Sequence, residues 1–323
     1  MPNQHGFERV RRKVLQGAAG GFAAGVWGAL GAWPLLAGAQ DKPRTVAFAQ
    51  DTFKNDFRLA QVNEVKEAVG RVSGWRFVVS DAQGQTSLLI HQIEQFVAQQ
   101  VDVLIVGTND ERAVVPAVAK AYQSGIHVIV LDRGIQGKAY TTFIHSDNVL
   151  IGKLGGEYIA QRLGSNGKVL LFEGLQTADV THLRTKGFLD EMRKHKGIRV
   201  IKRTGNYLRK DALLEMERLL ASGEKVDAIF SESDSMLSGA RMALVAAHVD
   251  VRKLITVGCD YTSEARDAIR DGTQTASVLF PLGGHASVEV ARKLLAGEKV
   301  AQHIVIPVKL VTRDNVEQVM PVF

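Results

Sequence analysis

Between Arg44 and Leu310 the chain alternates short apolar runs with stretches of helical hydrophobic spacing, and it completes that rhythm twice. Strands that alternate with helices of ten to fifteen residues imply right-handed βαβ crossovers and a parallel sheet. The clearest strand is Val128-Ile129-Val130-Leu131, four branched apolar residues stopped by Asp132-Arg133-Gly134. An unbroken run of this kind is buried on both faces of a parallel sheet. The first half predicts strands at 45–49, 75–79, 101–106, 128–131 and 141–144, with helices over 57–72, 87–99 and 113–123. The second half predicts strands at 168–172, 198–201, 228–230, 254–257 and 275–279, with helices over 150–163, 181–194, 211–221, 236–247 and 263–269. A helix over 286–295 and one strand over 304–310 close the pattern. No Pro/Ser-rich linker separates the halves, so short structural crossovers are expected to join two similar α/β lobes.

In open α/β sheets, ligands bind outside the carboxyl ends of the strands. Acidic and polar residues recur at those ends: Asp51, Asp132, Ser231 to Asp234, and Asp260. Asp132-Arg133 brings an acceptor-only carboxylate and a five-donor guanidinium to one point, which suits a ligand covered in hydroxyls. Alone, the pair reads as a surface ion pair contributing almost nothing. With both sheets taken as parallel, the strand ends of two facing lobes converge on one interdomain cleft, a favoured place for a small-ligand site. Asn55 adds an amide that donates and accepts. Phe57 and Phe280 offer flat apolar faces to the C–H side of a sugar ring, or serve as core.

The formal charge of +6 is shared between the ends of the chain: Arg9, Arg11, Arg12 and Lys13 against Glu8 supply half of it before residue 40. The remainder shows no dense basic patch interleaved with aromatics, so nucleic acid is not an expected partner. Arg11-Arg12-Lys13-Val14-Leu15 precedes an uncharged stretch from Gly17 to Gln40 that contains Ala37-Gly38-Ala39. Basic, apolar and small-residue regions in this order read as a twin-arginine export signal over 1–39, cleaved after Ala39, and as a periplasmic protein. An uncleaved anchor is the alternative, since the stretch is long enough to span a membrane.

The single cysteine, Cys259, excludes an internal disulfide framework and a cysteine metal cluster. Asp51-Thr52-Phe53 stands where a glycine-rich dinucleotide loop would follow the first strand, and a carboxylate there would repel a pyrophosphate. No P-loop or G-x-S-x-G elbow occurs, and no two histidines lie four apart. A binding protein with no catalytic residues, metal or cofactor is therefore expected.

From Thr45 to about Val308 the sequence resembles the type I periplasmic sugar-binding proteins, the ribose/galactose group related to the effector-binding core of LacI-type repressors. The resemblance rests on Val130-Leu131-Asp132-Arg133, Ser146-Asp147-Asn148-Val149-Leu150-Ile151-Gly152-Lys153 and Lys186-Gly187-Phe188. It rests also on Asp234-Ser235-Met236 with Gly239-Ala240, on Val257-Gly258-Cys259-Asp260 and on Leu295-Ala296-Gly297-Glu298-Lys299-Val300. It implies two Rossmann-like lobes with parallel sheets, joined by a three-segment hinge and closing on a sugar. The lobes would be 43–146 with 280–309, and 147–279 with 310–323, with crossings near Ser146, Val278 to Phe280, and Leu310. Carried over by motif, the ligand-binding residues would be Asp51, Asn55, Phe57, Asp132, Arg133 and Asp260; His182, Ser233 and Phe280 are expected to take further ligand-binding positions. Four positions depart from the family pattern. Arg58 stands for a second aromatic, His182 for an arginine, Ser233 for an asparagine, and Leu279-Phe280-Pro281 where a glutamine is common. Arg58 either faces solvent or points inward, where it would favour a ligand carboxylate.

The resemblance implies a monomeric solute-binding protein that delivers a monosaccharide, polyol or sugar acid to the permease of an ABC importer. A periplasmic sensor subunit signalling to a kinase or chemoreceptor is the alternative.

Overall fold

The computed structural model describes residues 42–323; the expected export signal lies outside them. Strands β1 (Arg44–Gln50), β2 (Trp75–Asp81), β3 (Val103–Gly107), β4 (His127–Leu131) and β5 (Thr142–His145) alternate with helices α1 (Asp56–Gly70), α2 (Thr86–Ala98) and α3 (Val115–Gln123). With β11 (His303–Val305) they form one six-stranded sheet, ordered β11-β5-β4-β3-β1-β2 and parallel throughout. The second sheet contains β6 (Asn166–Glu173), β7 (Gly197–Thr204), β8 (Ala228–Ser231), β9 (Ile255–Asp260), β10 (Ala276–Leu279) and β12 (Lys309–Thr312). Its order, β12-β10-β9-β8-β6-β7, repeats the first strand for strand. Helices α4 (Asn148–Leu163), α5 (Asp179–Met192), α6 (Arg209–Ala221), α7 (Asp234–Ala246), α8 (Ser263–Asp271) and α9 (Gly284–Leu295) complete the layers. Each sheet is buried between two apolar clusters, and the central strands β3 and β8 are buried along their whole length.

Two expectations need correction. The apolar run from Ile304 to Leu310 is not one strand. It is β11 and β12, which lie in different sheets. Pro307 stands between them; it has no N–H for a ladder and interrupts the strand. The chain therefore crosses between sheets at 306–308, just before Leu310. Nor is the second sheet wholly parallel: β12 returns antiparallel to β10, with Ser277 opposite Val311.

Helices α4 and α5 pack with almost nothing between them. A Cβ at Gly187 would overlap the Val149 carbonyl, and one at Gly152 the Arg184 carbonyl. Close approach requires glycine at both positions. Gly187→Ala is expected to lower stability by about 1–3 kcal/mol through overpacking. A urea melt checks this; a midpoint equal to wild type would show that the two helices separate freely.

Candidate functional site

Asp51 directly follows β1, Asp132 follows β4, and Asp260 ends β9, the strand of the second sheet equivalent to β4. Asp132 has φ +70°, and Asp260 and Tyr261 have φ +108° and +62°. Non-glycine residues held at positive φ store strain and cluster at functional sites. Here each sheet turns its strand-end carboxylate toward the other lobe.

The lobes are closed on each other. Asn55 caps α1, accepting from Arg58 N at 3.0 Å, and its Nδ2 donates across the cleft to Tyr207 O at 2.7 Å. Gly134 N donates to Asp179 Oδ2 at 2.9 Å, Glu111 N to Thr177 O at 3.2 Å, and Ser235 Oγ to Asp56 Oδ2 at 3.0 Å. Burial pushes the Asp179 carboxyl up to about 6, opposed by the Gly134 N–H.

Asn55, Phe57, Arg58, Asp132, Arg133, Val180, Arg184, Tyr207, Ser233, Asp260 and Phe280 enclose a cavity of about 20 Å³. That is the space of one or two waters, so a sugar enters only when the lobes part. Asp51 lies behind it. Arg133 Nη1 donates to Asp51 Oδ2 at 3.0 Å and to Thr108 O at 3.2 Å. Arg58 points inward and is only 1% exposed; its Nη1 is 2.6 Å from Asp132 Oδ2 and its Nε 3.5 Å from Asp51 Oδ1. Gln61 steadies it, accepting from Nη1 at 3.1 Å and donating to Leu282 O beside the hinge at 2.7 Å. Burial pushes the Asp51 carboxyl up, while Arg133 and Arg58 pull it down. Burial raises Asp260 likewise, against the pull of Arg184. Three buried polar atoms in this cluster have no hydrogen-bond partner: Asp51 Oδ1, Asp132 Oδ1 and Arg133 Nε. Such atoms cost roughly 1–3 kcal/mol each unless something fills their valence.

His182 does not join the site. It is exposed on α5, whereas Arg184 is buried in the cleft. Two residues along a helix turn about 200°, so a helix that faces the cleft with Val180 and Arg184 must turn His182 outward. Arg184 Nε donates to Asn148 Oδ1 at 2.8 Å and Nη1 to Glu232 O at 2.6 Å; its guanidinium lies 4.6 Å from the Phe280 ring centre. Phe57 and Phe280 stack on each other at 5.1 Å, forming one wall and not two opposed faces. Ser233 spends its hydroxyl as the cap of α7, accepting from Met236 N at 3.2 Å. Tyr207 packs 5.1 Å from the Arg133 guanidinium and 5.9 Å from that of Arg184.

Arg184 and Tyr207 are absent from the residues picked by sequence, though both carried a signal. Tyr207 lies just beyond the carboxyl end of β7, as the aspartates lie beyond theirs. Arg184 shares a helix face with Val180, Gly187 and Phe188, where a charge is out of place.

With the cleft so defined, the chain is that of a two-lobed binding protein. Residues 46–299 match the periplasmic binding protein domain, and the chain belongs to that family. It is 33% identical over 278 residues to the ribose import binding protein of Haemophilus influenzae, covering 85% of this chain and 93% of that protein. It is 27% identical to a putative rhizopine-binding protein of Rhizobium meliloti, covering 85% and 92%. Among solved structures, a Bacillus halodurans ABC transporter solute-binding protein with bound myo-inositol superposes with a TM-score of 0.81 at 28% identity, over 85% of this chain and 96% of that one. The fructose-binding periplasmic domain of a hybrid two-component system gives 0.80 at 26%, over 85% and 92%. Among the described residues no helix is long and apolar enough to cross a membrane.

Proposed function

We propose that this chain is an exported solute-binding protein that closes on an uncharged monosaccharide or cyclic polyol and delivers it to an ABC importer. The observation that carries the ligand class is the pair of buried, partnerless atoms on residues of the cavity wall, Asp132 Oδ1 and Arg133 Nε. An acceptor and a donor on one cavity wall are satisfied by vicinal hydroxyls, each of which donates and accepts. Asp260 and Arg184 approach from the second lobe, with Asn55, Ser233, Phe57, Phe280 and Tyr207 completing the wall. The inward Arg58 argues against a sugar acid, contrary to the expectation from sequence. Its charge is already matched by Asp132 and Asp51, and the cavity wall with the layer behind it holds three guanidinia and three carboxylates. A further buried anion would be uncompensated.

Binding is conformational: the open protein takes the ligand, and ligand contacts to both lobes stabilise the closed form that the permease receives. The lobes are taken as 43–146 with 280–308 and 147–279 with 309–323, since Lys309 pairs with Leu279 in the second sheet. The working form is a monomer that starts near Gln40 after cleavage past Ala39. A thermal-shift panel on that form tests the ligand class. A neutral pentose, hexose or inositol at a hundred times its dissociation constant is expected to add about 2.7 kcal/mol of stability, and the corresponding sugar acids nothing. Stabilisation by sugar acids alone, or by nothing in the panel, would overturn the reading.

The likeness to a two-component periplasmic domain supports a sensor as the second reading. Deleting the gene separates the two. Lost uptake of the labelled sugar identifies the importer, whereas intact uptake with a lost transcriptional response identifies the sensor.

A further inference from the structure

Behind the cleft wall of the second lobe lies a buried polar cluster in which Tyr207 lines the cavity while Glu232, Glu173, Thr181 and Thr185 do not. Glu232, fully buried, takes Gly174 N on Oε2 at 2.8 Å. The same Oε2 is 3.4 Å from Tyr207 Oη, and Oε1 is 2.8 Å from Thr185 Oγ1. Thr185 Oγ1 is also 3.1 Å from Oε1 of Glu173, which receives Lys202 Nζ at 2.5 Å. Tyr207 Oη lies 2.9 Å from Thr181 Oγ1, and Thr181 donates its own proton to Leu175 O at 2.8 Å.

The protons in this cluster can be counted. Two protons serve three contacts here: with the two shorter ones taken first, Thr181 gives its proton to Leu175 at 2.8 Å and Tyr207 gives its own to Thr181 at 2.9 Å, which leaves the 3.4 Å Tyr207–Glu232 contact without one. Thr185 has one proton for two carboxylates. With both glutamates ionised, one Thr185 contact and the Tyr207–Glu232 contact would each set oxygen against oxygen with no proton between them. A proton on Glu232 Oε1 donates to Thr185, frees the Thr185 proton for Glu173, and removes the negative charge beside the Tyr207 oxygen.

The charged groups facing Glu232 agree with that count. Glu173, on the neighbouring strand β6, is a like charge, and the Lys202 ammonium is spent on Glu173. The Arg184 guanidinium donates to the Glu232 backbone oxygen. Burial pushes the Glu232 carboxyl up to about 8, Glu173 adds to this, and the Gly174, Thr185 and Arg184 contacts oppose it. Tyr207 is also the second-lobe residue that receives Asn55 across the cleft and packs on Arg133 and Arg184.

We propose that Glu232 is a positioning residue of the binding site, carrying a proton in the closed protein and holding the Tyr207 ring against Arg133 and Arg184. The functional half of this rests on the sugar-binding reading above. When the proton leaves, a buried negative charge faces the Tyr207 oxygen and Glu173, and the cluster must rearrange or admit water, which loosens Tyr207.

The test compares wild type with Glu232→Gln and Glu232→Ala, measuring affinity for the neutral sugar found in the panel by calorimetry from about pH 6 to 9.5. Wild-type affinity is expected to fall about tenfold as the pH rises past the point where the proton leaves. The Gln variant, which keeps the hydrogen bonds without a titratable proton, should show a flat profile. The Ala variant should bind about tenfold more weakly at every pH, with Gln restoring most of that loss. In parallel, unfolding midpoints are followed without ligand. The wild-type midpoint should fall relative to Gln over the same pH range, and Tyr207→Phe should shrink that difference. Parallel pH profiles for wild type and Gln in the binding or the melting series overturn the proposal. If no sugar binds wild type, the reading of function fails, and the ligand-free melts still decide Glu232.

Discussion

Asp132→Ala is expected to abolish sugar binding and to lower stability by about 3–5 kcal/mol, the usual result of removing one partner from a buried ion pair. Arg58 Nη1 sits 2.6 Å from Asp132 Oδ2 with both side chains almost fully buried, so the substitution strands a guanidinium where water cannot reach it. Alanine also tolerates φ +70° poorly, whereas asparagine visits that region readily. Asp132→Asn therefore separates the two contributions: it should recover the backbone part while leaving the guanidinium short of a counter-charge. Denaturant melts and calorimetry on both variants check this. An alanine variant within about 1 kcal/mol of wild type would show that Arg58 does not depend on Asp132.

Arg58→Met is expected to cost a similar amount, about 3–5 kcal/mol near pH 8, and to lose less on acidification. Arg58 and Arg133 together pull the Asp51 carboxyl down against the effect of burial. Without Arg58, Asp51 rises further above its ordinary value of 3.8 in the folded protein only. The folded state then holds more protons than the unfolded one between that ordinary value and the raised one, so stability falls as the pH rises through this window. The variant should thus lie closest to wild type near pH 4–5 and furthest above the raised value, as read from urea midpoints against pH. A deficit independent of pH would locate the loss in packing alone. Combining Arg58→Met with Asp132→Asn should cost less than the sum of the two, because they share one buried pair.

The repeated strand–helix rhythm made the two α/β halves legible, because a fully buried parallel strand must be an unbroken apolar run. It also located the strand-end carboxylates, since a charge directly after such a run has only the sheet's edge to occupy. Where the structure departs from these expectations, the cause is local. Pro307 breaks the apolar run from Ile304 to Leu310, so the one strand expected there is two strands in two sheets. His182 turns outward on α5, and Arg184, two positions on, faces the cleft in its place. Phe57 and Phe280 both line the cavity, and their stacking on one another comes from the meeting of α1 with the hinge.

The direction and partners of Arg58 lay beyond any reading of its neighbours. At the start of α1 an arginine serves equally well in solvent, and nothing local pulls it inward. It is buried because Asp51 and Asp132, brought from β1 and β4, need a counter-charge, and because Gln61 and Leu282 close the space behind it. The same holds for Glu232, whose proton depends on Thr185, Tyr207 and Glu173 arriving from three separate elements. Sequence by itself determined the alternation of elements, the polarity of the strand ends and the class of fold, because those follow from hydrophobic period and chain chirality over a few residues. Only the tertiary structure decided which charges meet, which are spent on each other and which remain for a ligand, because those energies depend on distance and burial between residues far apart in the chain.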